Sequence, residues 1–287
     1  MKHLCIDIGG TRIKSAILDD LIPPEQLLDT KVHNFSSCGW INSSLPNLFA
    51  SEWPGLFYEI YSSDEIDAIA VSVATKVDAS GRIIGGYWRG RGVAEHSRTD
   101  IEYITGKPVR ILNDGISWLI GFKLVLSRMV KKPLNYPALC VGLGTGVALA
   151  CAVDSSSVSS IEISDSSDVK FSRIRKYAKD EFKASWMVHE ILGREFFDDF
   201  VNKRNPTWPY VEVRKQFTKR LVALLTDYSE SIGEYKTLCV GGGNAVFVSK
   251  STLEGHCKAD IVIANDLLPL SPDMIPLIGL LNAQPAY

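Results

Sequence analysis

The run Leu4-Cys5-Ile6-Asp7-Ile8-Gly9-Gly10-Thr11 returns in outline as Leu139-Cys140-Val141-Gly142-Leu143-Gly144-Thr145-Gly146. Each copy is an apolar strand entering a Gly/Thr turn. Each continues into a second apolar run, Ile13 to Leu18 and Val147 to Val153. Strand, glycine-rich turn, strand predicts a β-hairpin. The same start, met again about half a chain later, predicts two similar lobes. The copies differ at one informative place, where Asp7 corresponds to Gly142. Two loops gripping one ligand, with a cation on one side only, need such an asymmetry.

The rest of the chain alternates strand-like and helix-like stretches, as an α/β protein does. Ile66 to Val77 and Val109 to Leu112 read as strands, the latter ending at Asn113-Asp114. Thr99 to Ile104 reads as a short helix and Ile116 to Val130 as a longer one. Lys179 to Phe200 and Val213 to Ile232 also have helical spacing. Ser155 to Ser167 is rich in Ser and Asp and reads as a loop. Leu238-Cys239-Val240 is a buried strand running into Gly241-Gly242-Gly243-Asn244. The Trp/Pro segment from Trp40 to Pro54 has no regular pattern.

Composition excludes several classes. With 287 residues, 46% hydrophobic and 22% charged, the chain can bury a sizeable core. Its net charge of −2 gives no basic footprint for nucleic acid. Asp7 interrupts the first apolar run, unlike a signal peptide, and Ile275 to Leu281 is too short to span a bilayer. The six cysteines include no CxxC pair, so neither a disulfide framework nor a zinc site is expected. A reducing, cytoplasmic setting is the expectation, with no membrane partner.

Four motifs carry candidate chemistry, and each alone also fits a plainer reading. In Asp7-Ile8-Gly9-Gly10-Thr11-Arg12-Ile13-Lys14, glycines let backbone amides approach phosphate oxygens as an anion-binding nest. Thr11 adds a hydroxyl and Lys14 a point charge. Asp7 can hold Mg²⁺ through water. The same stretch equally fits a plain hairpin turn. It is not a Walker loop, because Ile13 stands where that pattern needs Gly. Gly142-Leu143-Gly144-Thr145-Gly146 is the second phosphate candidate, and Val147 breaks any dinucleotide fingerprint. Asn113-Asp114 sits at a strand end before a helix. There a carboxylate can act as general base toward an attacking hydroxyl, although capping of the helix explains the pair as well. Gly241-Gly242-Gly243 lets a nucleobase or ribose lie against backbone, or simply makes a turn. No HExxH or GxSxG motif is present, since Gly193 stands where HExxH needs its second His.

The order of these signals resembles the ROK family of sugar kinases, within the sugar kinase/actin/heat-shock ATPase superfamily. Asp7 to Lys14 resembles its first phosphate motif. Pro108 to Asp114 resembles its catalytic segment, with Asp114 in the base position. Gly144-Thr145-Gly146 resembles the second phosphate motif, Gly241-Gly242-Gly243 the adenosine-site turn, and Ile278-Gly279-Leu280-Leu281 the closing helix. The resemblance implies a two-lobed, ribonuclease H-like duplicated α/β fold, the actin-like ATPase fold, with a cleft between lobes. Residues 1–115 with a closing helix in 274–287 would form the N-terminal lobe, and 116–273 the C-terminal lobe.

It further implies ATP and Mg²⁺ as cofactors, Asp7 at the metal and Asp114 as base. Gly9, Gly10, Thr11, Lys14, Gly144, Thr145, Gly146, Gly241, Gly242 and Gly243 would bind ATP. A small-molecule sugar, a hexose or an N-acylhexosamine, would be phosphorylated at its 6-hydroxyl. Asn113, Trp88, Glu162 and Asp165 would bind it, and a homodimer is the implied assembly.

Two departures bear on the sugar. The family's Glu-Ile-Gly-His motif is matched by Glu162-Ile163-Ser164-Asp165, with Asp165 in place of His, and the family's Cys-rich zinc motif is missing. The segment Val188 to Gly193 resembles what normally follows that zinc loop. The alternatives are a non-catalytic sugar or nucleotide sensor of the same fold, and a same-fold kinase with a non-sugar acceptor.

Overall fold

A computed structural model describes residues 1–9, 12–20, 22–36, 65–74, 77–78, 80–83, 97–144, 147–161, 214–215, 217–219, 221–226, 233–267 and 269–281. The first strands show why it folds as it does. In β1 (Lys2–Ile8) alternate side chains leave opposite faces of the sheet. Leu4, Ile6 and Ile8 join one apolar cluster with Val71, Val109 and Ile111. Cys5 joins a different one, and Asp7 shares its parity. In β6 (Ala138–Leu143) the same division recurs, with Leu139, Val141 and Leu143 in one cluster and Ala138 and Cys140 in the other.

The expected duplication is present strand for strand. The first sheet runs β3-β2-β1-β4-β5, with β2 (Arg12–Asp19), β3 (His33–Ser36), β4 (Ala68–Val73) and β5 (Val109–Asn113). The second runs β10-β9-β6-β7-β8, with β7 (Val147–Ala152), β8 (Ser159–Ile161), β9 (Thr237–Gly241) and β10 (Asp260–Ile263). Both open with an antiparallel hairpin, β1–β2 and β6–β7. In both, the hairpin's first strand then pairs in parallel with the next inner strand, β4 or β9. Reading the second order from its other end gives the first order again.

Two helices fill the space between the sheets. α1 (Pro24–Asp29) and α2 (Ser97–Thr105) lie within the first half, followed by α3 (Asp114–Val125). α4 (Lys250–Glu254) and the closing α5 (Met274–Leu281) come late in the chain. α5 packs on α3 and against β1, β2 and β4, while α3 also reaches β6, β7 and β9. One cluster accordingly joins Ala16 and Ala70 of the first sheet, Trp118, Leu119 and Phe122 of α3, Ile275 and Ile278 of α5, and Ala150 and Cys239 of the second sheet. Small residues dominate the inward sheet faces because helices must fit between them. Two glycines let the helices touch: a Cβ on Gly121 would lie 2.0 Å from the Ile275 carbonyl oxygen, and one on Gly279 1.9 Å from that of Ser117.

The structure revises three expectations. Ser159–Ile161, inside the expected Ser-rich loop, pairs antiparallel with β7, because an edge strand is made by its neighbour more than by its own propensity. The helix expected from Ile116 starts two residues earlier, capped by Asn113. It gives way after Val125 to a π-helical turn over Leu126–Val130 that ends at Lys131, φ 58°. The strand expected over Ile66 to Val77 is confined to Ala68–Val73. The segments Trp40 to Pro54 and Lys179 to Phe200 lie outside the described residues. No described helix is long and apolar enough to cross a membrane, and Cys5, Cys140, Cys151, Cys239 and Cys257 are free thiols.

Candidate active site

The parallel strands β1, β4 and β5 bring their C-terminal ends together, the edge at which open α/β sheets collect ligand-binding groups. Asp7 is the Cα partner of Ser72, and Val73 that of Asn113. Asp7 therefore faces the space between the sheets near the head of α3, where Asp114 stands.

Asp7 is 6% exposed, and each of its oxygens is engaged. Ser72 donates its hydroxyl to Oδ1 at 2.8 Å. Ser117 on α3 has two acceptors in reach of its hydroxyl, the Ser72 oxygen at 3.1 Å and the Asp114 carbonyl at 2.8 Å. Both serines are fully buried, and the one Ser117 proton serves only one of those two acceptors at a time. On the other side, Lys14 Nζ stands 3.7 Å from Asp7 Oδ2 and 2.9 Å from Asp273 Oδ1. The same ammonium lies 5.8 Å from the centroid of the Trp118 ring. Burial pulls the Lys14 pKa down, but Asp7 and Asp273 more than offset it and hold the ammonium above its ordinary range.

Asp114 opens α3. The Gly115 amide donates to its Oδ1 at 2.9 Å, and Asn113 Oδ1 accepts from the Ile116 amide at 3.3 Å. Capping thus holds for Asn113 and leaves Asp114 a distinct chemical position. Burial first, and the nearby Asp7 charge second, push its pKa up to about 7. A carboxyl that titrates near neutrality is matched to taking a proton from a hydroxyl at physiological pH.

The described residues of the glycine turns are held by specific contacts. The Gly9 amide donates to the Arg12 carbonyl at 3.0 Å and closes the first hairpin. Asn244 Nδ2 donates to the Gly144 carbonyl at 2.7 Å, tying the second hairpin to the turn after β9. Gly242, φ 91°, abuts the backbone of Leu143, where a Cβ would come within 2.4 Å of the carbonyl oxygen. Gly241 is needed for packing, since its Cβ would meet the Trp118 ring at 2.3 Å, whereas Gly243 has open space beside it.

Asp7, Gly9, Lys14, Asn113, Asp114, Gly144, Gly241, Gly242 and Gly243 are therefore placed. Gly10, Thr11, Thr145, Gly146, Trp88, Glu162 and Asp165 lie outside the described residues. Sequence reading missed Ser72, Ser117, Trp118 and Asp273. Ser72 left one signal, a hydroxyl of inward parity in an apolar strand. Asp273 left none, because only folding brings it to Lys14.

The donor set suits Mg²⁺. That ion keeps most of its waters and uses one or two carboxylates. The described residues contain no cluster of three or more His, Cys, Asp or Glu that could cage a metal. Asp7 would hold the ion through water, and phosphate oxygens would complete its shell.

No family model matches the chain, and no curated protein matches it. Solved structures do. The inorganic polyphosphate/ATP-glucomannokinase of Arthrobacter sp. strain KM aligns over 98% of this chain and 96% of its own, with 14% identity and a TM-score of 0.60. A ROK family glucokinase from Streptomyces griseus, solved with glucose and AMPPNP, aligns over 98% of both chains at 12% identity, TM-score 0.60. The chain has the fold of the ROK sugar kinases. A ROK family protein from Streptococcus pneumoniae TIGR4, solved with sucrose, agrees at 18% identity and TM-score 0.58, over 98% of this chain and 96% of that one. The ROK fold, an actin-like ATPase architecture, accounts for the duplicated sheets and for α3 and α5 between them.

Proposed function

We propose that this chain is an ATP-dependent sugar kinase that transfers the γ-phosphoryl group to the 6-hydroxyl of a hexose or N-acylhexosamine. The observation that carries this reading is the pair of carboxylates at the strand ends, Asp7 and the near-neutral Asp114. The fold shared with sugar kinases supports it. Asp114 accepts the proton of the acceptor hydroxyl as that oxygen attacks phosphorus, and Asn113 holds the acceptor beside it. The amides around Gly9, Gly10, Thr11 and Gly144 to Gly146 cradle the phosphates, and Lys14 adds positive charge beneath them. Gly243, with open space beside it, leaves room for the adenosine. Bound Mg²⁺ supplies charge neutralisation on the phosphates, and Asp7 orients it. Residues 1–115 with 274–287 act as one lobe and 116–273 as the other, closing to exclude water.

The test is ADP release from ATP–Mg²⁺ across hexoses and N-acylhexosamines, with Asp114→Ala as control. Turnover with one sugar, lost in the variant, is the expected result. Unchanged turnover in the variant would remove Asp114 as base. Silence across the panel, despite stabilisation by ATP, would favour a non-sugar acceptor or a sensor, readings that the Asp165 departure keeps in play.

A further inference from the structure

The Asp7 carboxylate is divided between two kinds of partner. Its Oδ1 is committed inward, to a serine with no exposed surface. Its Oδ2 faces Lys14, the group that competes with any cation for that oxygen. Yet Lys14 sits nearer to another carboxylate, 2.9 Å from Asp273 against 3.7 Å from Asp7. Asp273 immediately precedes α5, which begins at Met274, and is remote in sequence from the phosphate hairpin. Lys14 is held from a second side by the Trp118 ring beneath it.

We propose that Asp273 is a positioning residue for the cation site: it draws the Lys14 ammonium away from Asp7 and so leaves Asp7 Oδ2 able to take a hydrated divalent ion. The proposal rests on the reading of Asp7 as the metal carboxylate. It gives the closing helix a task beyond packing, since the segment that brings α5 onto the first sheet also sets which anion Lys14 satisfies. With the Asp273 charge removed, Asp7 is the one carboxylate left to pair with Lys14 among the described residues, and the tightened pair excludes the cation.

The probe is Mn²⁺ titrated in the presence of saturating ADP, with bound ion read as loss of the free-ion paramagnetic resonance signal. Asp273→Asn is expected to weaken Mn²⁺ binding by about fivefold, the scale of one partly screened ion pair. Asp273→Glu is expected to restore it. In a Lys14→Met background the same Asp273→Asn change is expected to do almost nothing, because the competing ammonium is gone. An equal loss in both backgrounds would show that Asp273 acts only as distant charge and would overturn the proposal, as would no loss in either. Asp7→Asn separates the two levels. If it leaves Mn²⁺ affinity unchanged, or if the unaltered protein binds no Mn²⁺–ADP, the metal reading of Asp7 falls and the proposal falls with it. If Asp7→Asn weakens binding and Asp273→Asn does not, the proposal alone is wrong. Asp273 is one-third exposed on its side chain, so its substitution should leave folding intact, and a circular dichroism melt checks this.

Discussion

Asp114 combines its proposed role as base with a stability penalty, and both can be measured. Its ionised form is disfavoured by burial and by Asp7. In its proposed role as base it works only when ionised, so kcat/KM should climb about tenfold per pH unit below pH ~7 and level off above it. The sign for stability is opposite. Between 3.8 and about 7 the native protein retains a proton that the unfolded chain has released, so stability falls as pH rises through that window. Asp114→Asn should therefore abolish turnover while raising the unfolding free energy at pH 8 by about 1–3 kcal/mol, a figure discounted for the partial exposure of the side chain. Urea titration at pH 5 and pH 8 checks it, because the gain should shrink at the lower pH. Ser72→Ala offers a second residue-scale test. It removes the buried hydroxyl from Asp7 Oδ1 and should cost about 1–2 kcal/mol of stability by the same titration.

At the scale of elements, the α3–α5 crossing is set by backbone contact. Gly121 meets the Ile275 carbonyl and Gly279 meets that of Ser117. Backbone cannot yield as a flexible side chain does. Gly121→Ala or Gly279→Ala should thus destabilise by about 3 kcal/mol or more, read as a drop in the urea midpoint or as loss of soluble protein. Gly243→Ala is the matched control, since it has open space around it, and should change stability by less than ~0.5 kcal/mol. Elements were unevenly legible in the sequence. The strands of both hairpins were readable because strong apolar runs end at glycine turns. β8 was not, because Ser159 to Ile161 carries no strand pattern of its own and exists by pairing with Leu149 to Cys151. The start of α3 was missed by two residues, because Asn113 is at once strand end and cap.

Across the whole molecule, the central cluster runs from one sheet through α3 and α5 to the other. Two sheets that share a core should not melt independently. Urea unfolding followed by tryptophan fluorescence and by far-ultraviolet circular dichroism should give one coincident transition. Two separated transitions would mean that the shared layer contributes little. Nucleotide and sugar together should raise the melting temperature above either alone, as the proposed closure onto both ligands requires.

The sequence by itself determined the duplication, the two glycine-turn hairpins, the asymmetry of Asp7 against Gly142 and the placing of Asp114 at a strand end. All of these are local patterns, and local patterns survive in one dimension. Only the tertiary structure decided the company these residues keep. Ser72 and Ser117 are 45 residues apart, and Asp273 lies far beyond Lys14 along the chain. Their meeting depends on strand register and on the packing of α5 between the sheets, and no periodicity in the chain encodes a contact between segments so far apart. The near-neutral Asp114 belongs to the same class, because burial and a neighbouring charge are properties of the assembled fold.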